Sequence, residues 1–220
     1  MSFWQCCCPN PLEEERKPFA RSQKNAKQVK VLTKGEKLVV KHVNVPELDR
    51  KFSVIAELYN DQVESQEILT YCASTLKVRG CASSLTECIQ TLQETNSNCD
   101  IKVKMEGYNF YLLMTSKEEL PENLREVQEL VKRMSRATKL VISNQMKFTE
   151  MVFAILQKKT QMADEIKQVN TAYLDQIRLQ ENLQENVHNM EQAKQWSKEY
   201  AEEANNILRE MAKVAGVHNI

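Results

Sequence analysis

The sequence predicts a mainly α-helical protein whose long heptad-patterned helices form a coiled coil or helical bundle, with one or two small β-hairpins in its N-terminal half. Three observations predict this fold. After Pro121 the chain has no further proline, and after Gly107 it has no glycine until Gly216. Across that stretch apolar residues recur at alternating spacings of four and three, as in a helix-packing seam. Upstream, two segments alternate apolar and polar residues around glycine-containing turns, which is typical of hairpins.

Composition limits the class of protein. The chain has 220 residues with 30 basic and 30 acidic side chains, which is enough for one or two domains. Counted along the sequence, residues 16–42 carry nine Lys or Arg and one acid, whereas residues 43–220 carry 21 basic and 26 acidic residues. This asymmetry predicts that the N-terminal end faces an anionic surface. No apolar run is long enough to span a membrane, and no signal peptide is recognisable.

Residues 1–28 are predicted to be a disordered tail, because their prolines and charges show no hydrophobic periodicity. Three adjacent thiols, Cys6, Cys7 and Cys8, follow an aromatic pair near the start of this tail. The arrangement resembles the short cysteine clusters that anchor palmitoylated peripheral proteins. We therefore predict S-acylation of these cysteines, with incidental thiols in a loose tail as the alternative.

Basic side chains follow the cysteines. A single acyl chain holds a protein only marginally, and each nearby Lys or Arg adds about 1 kcal/mol on an anionic leaflet. The two signals together favour a peripheral position on the cytosolic face of a membrane. The predicted contacts with that surface are Arg16, Lys17, Arg21, Lys24, Lys27 and Lys30. An acidic protein surface such as that of tubulin is an alternative that charge alone does not distinguish.

A small α+β region is predicted over residues 29–116. Its first half begins with a hairpin over residues 29–43, which turns at Thr33–Glu36. A helix capped by Asn44 should follow and run to about Arg79, since apolar residues recur at three and four along it.

The second half of that region starts with a capping box at Ser84–Glu87, which predicts a short helix ending near Asn96. Residues 100–113 then alternate around Glu106–Gly107, so a second hairpin with that two-residue loop is expected. The two hairpins could pair into one small antiparallel sheet beneath the helices.

Residues 117–215 are predicted to form the coiled-coil or helical-bundle region, followed by a tail over 216–220. Ser116–Glu119 supplies a capping box, and Pro121 offers a rival start one turn later. A single four-three register then runs from Leu120 to Ala215. Its polar positions are Thr138, Gln145, Lys159, Gln176, Gln180, Lys194 and Ser197.

Two arrangements of this region remain open. As one straight helix it would reach about 150 Å, but its polar seam positions fit poorly in the apolar core of a long coiled coil. A fold-back would be set at Gln145 and Lys159, with Ser143–Asn144 as the best sequence candidate for the reversal itself. The seam around Gln145 also resembles the layer pattern of a SNARE motif over residues 120–173, from which Lys159 and the long helix beyond depart.

The seam is expected to associate with protein partners, as a homo- or hetero-oligomer. The residues predicted to carry that association are Leu124, Val131, Val141, Gln145, Phe148, Val152, Ile155 and Ile166.

The sequence contains no recognisable catalytic, nucleotide-binding or metal-binding motif. With four glycines there is no phosphate-binding loop and no dinucleotide fingerprint, and the spacing of the later cysteines matches no zinc template. No catalytic residue, metal or cofactor is predicted, and no nucleic-acid partner is expected. The sequence therefore predicts a cytoplasmic, non-enzymatic scaffold or complex subunit at a membrane face. The alternative is a soluble cytoskeletal, centrosomal, ciliary or chromosomal coiled-coil subunit.

Overall fold

A computed structural model of the chain describes residues 32–80 and 82–217. In these ranges the fold is mainly helical, with five helices and one two-stranded antiparallel hairpin, which confirms the predicted fold class. In chain order the elements are α1 (Pro46–Arg79), α2 (Leu85–Thr95), β1 (Cys99–Glu106), β2 (Asn109–Ser116), α3 (Glu122–Gln157), α4 (Lys159–Lys167) and α5 (Tyr173–Ala215). The predicted tail over residues 1–28 lies outside the described residues.

Helix α1 has the predicted extent, but its start differs from the prediction. Asn44 does not cap it: this residue adopts a positive φ of 59°, and Val45 is the N-cap without a side-chain hydrogen bond. Asparagine tolerates the left-handed conformation, and the following Pro46 is preorganised for the first helical position. All eight residues of the predicted apolar stripe are buried: Leu48, Phe52, Ile55, Tyr59, Val63, Leu69, Cys72 and Leu76.

Helix α2 begins at the predicted capping box. The Ser84 hydroxyl accepts a hydrogen bond from the Glu87 backbone N–H at 3.2 Å, while the Glu87 carboxylate accepts from the backbone N–H and hydroxyl of Ser83. The two bonds from Ser83 lower the pKa of the Glu87 carboxyl. The helix ends at Asn96, as predicted.

The second hairpin is confirmed, but its turn is one residue later than predicted. β1 and β2 pair from Cys99 opposite Ser116 to Glu106 opposite Asn109, so the loop is Gly107–Tyr108 rather than Glu106–Gly107. Gly107 has a φ of +60°, which a tight turn requires and glycine adopts readily.

The first predicted hairpin is not formed over residues 32–43. Its turn is present, since Glu36 donates a backbone hydrogen bond to Thr33 at 3.1 Å, but no strand follows. Residues 29–31 of the hairpin lie outside the described residues. Without a pairing strand, the backbone of residues 37–43 takes its hydrogen bonds from side chains of α1 and α5, and the expected four-stranded sheet is absent from the described ranges. We call residues 32–43 the N-terminal strap.

The predicted heptad region is three helices folded back on one another. Helix α3 starts after Pro121, the rival start, and not at the Ser116 box. The reversal is not at Ser143–Asn144, because Asn144 is buried in the middle of α3. It lies between α4 and α5, where the Gln176 side chain donates to the carbonyl of Ile166 at 2.6 Å and so satisfies a helix-end carbonyl.

The core lies between α1, α3 and α5, with the hairpin and α2 packed at one end. A single buried side chain joins all three long helices. Gln62 of α1 donates from Nε2 to the carbonyl of Val141 in α3 at 3.0 Å and to that of Ser197 in α5 at 3.2 Å. The three helices are thereby fixed in one relative register.

Candidate association surface

The seam residues predicted to bind partners lie inside this chain's own bundle. All are buried except Gln145, which is half-buried and donates to the Thr149 hydroxyl within α3. The buried ones are Leu124, Val131, Val141, Phe148, Val152, Ile155 and Ile166. Since the fold-back satisfies this seam within one chain, an association surface must be sought on the outside of the bundle.

Two polar positions of the seam, Lys159 and Gln176, lie at helix boundaries. Lys159 is exposed and begins α4, next to the break after Gln157 that ends α3. Gln176 closes the reversal through its bond to Ile166. Neither of the two positions predicted to set a fold-back lies at the reversal: Lys159 is at the break between α3 and α4, and Gln145 lies within a continuous helix.

The N-terminal strap crosses the junction of α1 and α5 by exchanging hydrogen bonds with two asparagines. The Asn60 side chain accepts from the N–H of Leu38 at 2.7 Å and donates to its carbonyl at 3.1 Å. Asn186, which is fully buried, does the same for Lys41 at 2.8 and 2.7 Å. Each amide thus replaces a neighbouring strand, which explains how an extended segment is held without a sheet.

Ion pairs hold the other end of the strap. Lys34 lies 3.1 Å from the Glu203 carboxylate and 3.2 Å from that of Glu199, both on α5, and these contacts raise the pKa of Lys34. The N–H of Gly35 donates to the hydroxyl of Tyr200 at 2.8 Å. The chain therefore enters the described fold beside Tyr200, late in α5.

An apolar groove lies between the start of α1 and the junction of α3 with α4. Its volume is about 500 Å³. The walls are apolar and the rim is charged, and the lining includes Leu48, Lys51, Ile55, Met151, Ala154, Ile155, Lys158 and Met162. The ammonium groups of Lys51 and Lys158 form no ion pair with any residue in 32–80 or 82–217. The groove therefore combines apolar walls with a rim of mixed charge, because Glu47 and Glu165 line it alongside the two lysines.

An apolar ridge stands at the N-terminus of α5. Tyr173, Leu174 and Ile177 are 78%, 77% and 39% exposed. Tyr173 falls on the four-three register that runs from Leu120 to Ala215, but it is exposed at the first position of α5. The signal for the ridge is present in the sequence, since Leu174 and Ile177 lie off the seam and share a helix face.

The groove and the ridge lie at the same end of the bundle. Gln176, next to Ile177, bonds the carbonyl of Ile166, whose neighbour Glu165 lines the groove. The strap enters beside Tyr200, which is 27 residues from Tyr173 along α5, a distance of about 40 Å. The entry of the strap and the ridge are therefore about 40 Å apart, whereas the other end of the strap reaches the start of α1, where Val45 lines the groove.

The other predicted site lies outside the described residues. This applies to Cys6, Cys7 and Cys8 and to the basic residues Arg16, Lys17, Arg21, Lys24, Lys27 and Lys30. Within the described ranges no three His, Cys, Asp or Glu side chains are grouped so that they could hold a metal ion. None of the helices there has the length and apolar character needed to cross a bilayer.

The comparisons with known proteins return no relative. The chain matches no protein-family model, and neither a curated protein nor a solved structure is significantly similar to it.

Proposed function

We propose that the protein is a non-enzymatic scaffold or complex subunit, held at a cytosolic membrane face by its acylated, basic N-terminus. The acylated residues are Cys6, Cys7 and Cys8, and the basic residues that follow contact the anionic leaflet. The bundle is the part that meets protein partners, through its exposed apolar end rather than through its heptad seam.

The observation that supports this proposal is the distance between the entry of the strap and the Tyr173–Ile177 ridge. The strap, through which the N-terminal residues join the fold, is fixed to α1 and α5 by Asn60, Asn186 and the Lys34 ion pairs. The Tyr173–Ile177 ridge lies about 40 Å along α5 from Tyr200, where the strap enters. A chain anchored through its N-terminal residues would thus carry this ridge at a distance from the point where the anchor joins the fold.

The composition of the N-terminal segment supports the anchor. Six of its residues between 16 and 30 are basic and none is acidic. Acyl chains and basic side chains add their contributions to membrane affinity, so a cysteine cluster followed by a basic run provides the two signals that stable attachment needs.

Fractionation of cells expressing the full chain tests the acyl anchor. Wild type should sediment with membranes and be released by hydroxylamine, which cleaves thioesters. Cys6/Cys7/Cys8→Ser should be soluble, whereas the matched control Cys81→Ser should stay with membranes. A wild-type protein that is wholly soluble and insensitive to hydroxylamine would refute the anchor and favour the alternative, a soluble cytoskeletal, centrosomal, ciliary or chromosomal subunit.

Vesicle sedimentation tests the basic residues separately. Because each Lys contributes about 1 kcal/mol near an anionic leaflet, Lys24/Lys27/Lys30→Gln should weaken binding to phosphatidylserine vesicles about 100-fold. The control Lys102→Gln/Lys104→Gln/Lys117→Gln should leave the affinity within a few fold. Equal binding of the two triple variants would contradict a role for the basic segment.

A further inference from the structure

We propose that residues 27–31, which we call the docking segment, bind within the same chain to a second cavity beside the entry of the strap. There Lys27 and Lys30 pair with carboxylates of the bundle instead of with an anionic surface. Docking therefore competes with membrane attachment and regulates it. That consequence rests on the proposed function, whereas the docking itself does not.

The second cavity, which we call the entry cavity, lies where the described chain begins. Its volume is about 570 Å³, and it is lined by α1 between Val63 and Ser74, by Tyr200 and Glu203 of α5, and by Lys34 and Gly35 of the strap. Leu32 is the first described residue and lies within about 7 Å of Lys34, since only two residues separate them in an extended segment. The 31 residues that precede Leu32 are thus tethered at the edge of this cavity.

A buried acceptor in the cavity wall lacks a partner. Gln66 is 8% exposed, and its Oε1 accepts no hydrogen bond within the described residues. Its amide nitrogen donates to the Glu203 carboxylate at 2.5 Å, so a flip of the amide would set two acceptor oxygens against each other. Because buried carbonyl oxygens are normally hydrogen-bonded, Gln66 marks a place for an N–H donor.

The charge of the entry cavity favours a cationic occupant. Three charged side chains line it, Lys34, Glu67 and Glu203. Lys34 is bound to Glu203 at 3.1 Å and to the adjacent Glu199 at 3.2 Å. Glu67 forms no ion pair within the described residues. Three carboxylates therefore surround one ammonium group, which leaves an excess of two negative charges.

Two neighbouring cations do not offset this excess. Lys37 of the strap is bound to Glu64 at 2.6 Å. The guanidinium of Arg133 lies 5.9 Å from the centroid of the Tyr71 ring, but Arg133 lines a different cavity together with two glutamates. An occupant with two positive charges therefore matches the entry cavity.

The docking segment supplies two such charges. Lysines recur at alternating spacings of three and four along the chain, at Lys27, Lys30, Lys34, Lys37 and Lys41. The three that belong to the strap each bind a carboxylate of α1 or α5. Lys27 and Lys30 continue the same series upstream, toward the carboxylates that remain at the cavity.

The tether favours this segment over a free basic peptide. The part of α1 that lines the cavity, Val63 to Ser74, is about 16 Å long, and five extended residues cover that length. Residues 27–31 are joined directly to the strap, so their effective concentration at the cavity is on the order of mM. Exposed ion pairs are individually weak, which leaves the docked segment displaceable by a membrane.

Zero-length crosslinking with a carbodiimide tests the docking on the purified full-length chain without membranes. The reagent joins a lysine to a carboxylate in direct contact, and mass spectrometry maps the joined pairs. We expect Lys27 or Lys30 to be joined to Glu67 or Glu203. The Lys34–Glu203 pair, 3.1 Å apart, is the internal positive control. In an equal mixture of unlabelled and isotope-labelled chains, the crosslinks should form within one chain.

Charge reversal at Glu67 should displace the docking segment. Glu67→Lys should lower the yield of crosslinks from Lys27 and Lys30 to Glu203 at least about twofold. Glu57→Lys makes the same charge change at another exposed position of α1 and should not lower it. Circular dichroism of both variants checks that the bundle is retained. On phosphatidylserine vesicles, Glu67→Lys should bind about 2- to 5-fold more tightly than Glu57→Lys, because its segment is free for the leaflet.

Three crosslinking results would overturn the docking. These are a Lys34–Glu203 crosslink with none from Lys27 or Lys30, a yield that Glu67→Lys does not lower, and crosslinks only between differently labelled chains. The last result would assign the cavity to the segment of another copy. Equal vesicle binding of the two variants would overturn the competition with membranes. Because the crosslinking is done without membranes and fractionation tests Cys6–Cys8, failure of the docking and failure of the anchor are distinguishable.

Discussion

Replacing Asn186 by alanine should loosen the N-terminal strap and destabilise the bundle. The side chain is 0% exposed, and it exchanges two hydrogen bonds of 2.7 and 2.8 Å with the backbone of Lys41. Each bond contributes about 0.5–1.5 kcal/mol, and the variant also leaves an N–H and a carbonyl without their partner. We expect the free energy of unfolding to fall by about 2–3 kcal/mol. Asn60→Ala should cost less, because that site is half-buried and water can replace the amide.

Urea denaturation gives the free energy, and hydrogen exchange followed by mass spectrometry reports the strap itself. In Asn186→Ala, peptides covering residues 37–43 should exchange much faster than in wild type. The control Asn206→Ala removes an exposed amide that bonds only Arg209 among the hydrogen bonds described, and should change stability by less than about 0.5 kcal/mol. If Asn186→Ala also changes stability by less than about 0.5 kcal/mol and leaves strap exchange as in wild type, the strand-replacement role is wrong.

Further predictions concern the core and its thiols. Gly80→Ala should lower the free energy of unfolding by about 1–3 kcal/mol, because the added Cβ would lie 2.8 Å from the Cys88 sulfur. Gly107→Asn, where no atom lies within 4 Å and asparagine tolerates the φ of +60°, should cost under about 1 kcal/mol. A Gly80→Ala protein as stable as wild type in urea would contradict the predicted clash with Cys88. Phe148→Ala, at a fully buried position, should cost about 3–5 kcal/mol; a loss under about 1 kcal/mol in the same assay would place the residue outside the core. Burial raises the pKa of the Cys72 and Cys88 thiols, which keeps them protonated and unreactive. Iodoacetamide at pH 8 should therefore modify them in urea but not in the folded protein, as mapped by mass spectrometry.

The helices and their faces could be predicted from the sequence because their signals are local. The apolar stripe of α1, the Ser84 box of α2 and the alternation around Gly107 each depend on neighbouring residues, and each appears in the structure within a residue or two. Asn44 was misassigned because asparagine is favoured both as a cap and in left-handed turns.

The reversal of the heptad region could not be located from the sequence. Residues 168–172 contain neither glycine nor proline, and the seam register continues across them without interruption. The turn is stabilised by Gln176 reaching the carbonyl of Ile166, ten residues earlier, which is a contact that periodicity does not encode. For the same reason the seam predicted an interface between chains, whereas its residues pack within one chain.

The strap could not be predicted either. Its alternation of apolar and basic residues is that of a strand, but its partners, Asn60 and Asn186, lie 22 and 145 residues away from the positions they bond. The groove lies where α3 ends, and the ridge lies where α5 begins. They could be located only once the fold-back was known.

A distance between α3 and α5 tests the fold-back most directly. The carbonyls of Val141 and Ser197 both bond Gln62 Nε2, at 3.0 and 3.2 Å, so they lie no more than about 6 Å apart. In a continuous helix the 56 residues between them would span about 84 Å. Spin labels at the exposed Leu140 and Lys198, diluted with unlabelled chain to suppress contacts between molecules, report this separation by pulsed electron paramagnetic resonance. The fold-back predicts a distance under about 35 Å, the span of two adjacent helices and their labels. A distribution lying wholly beyond about 60 Å would show a rod and contradict the account.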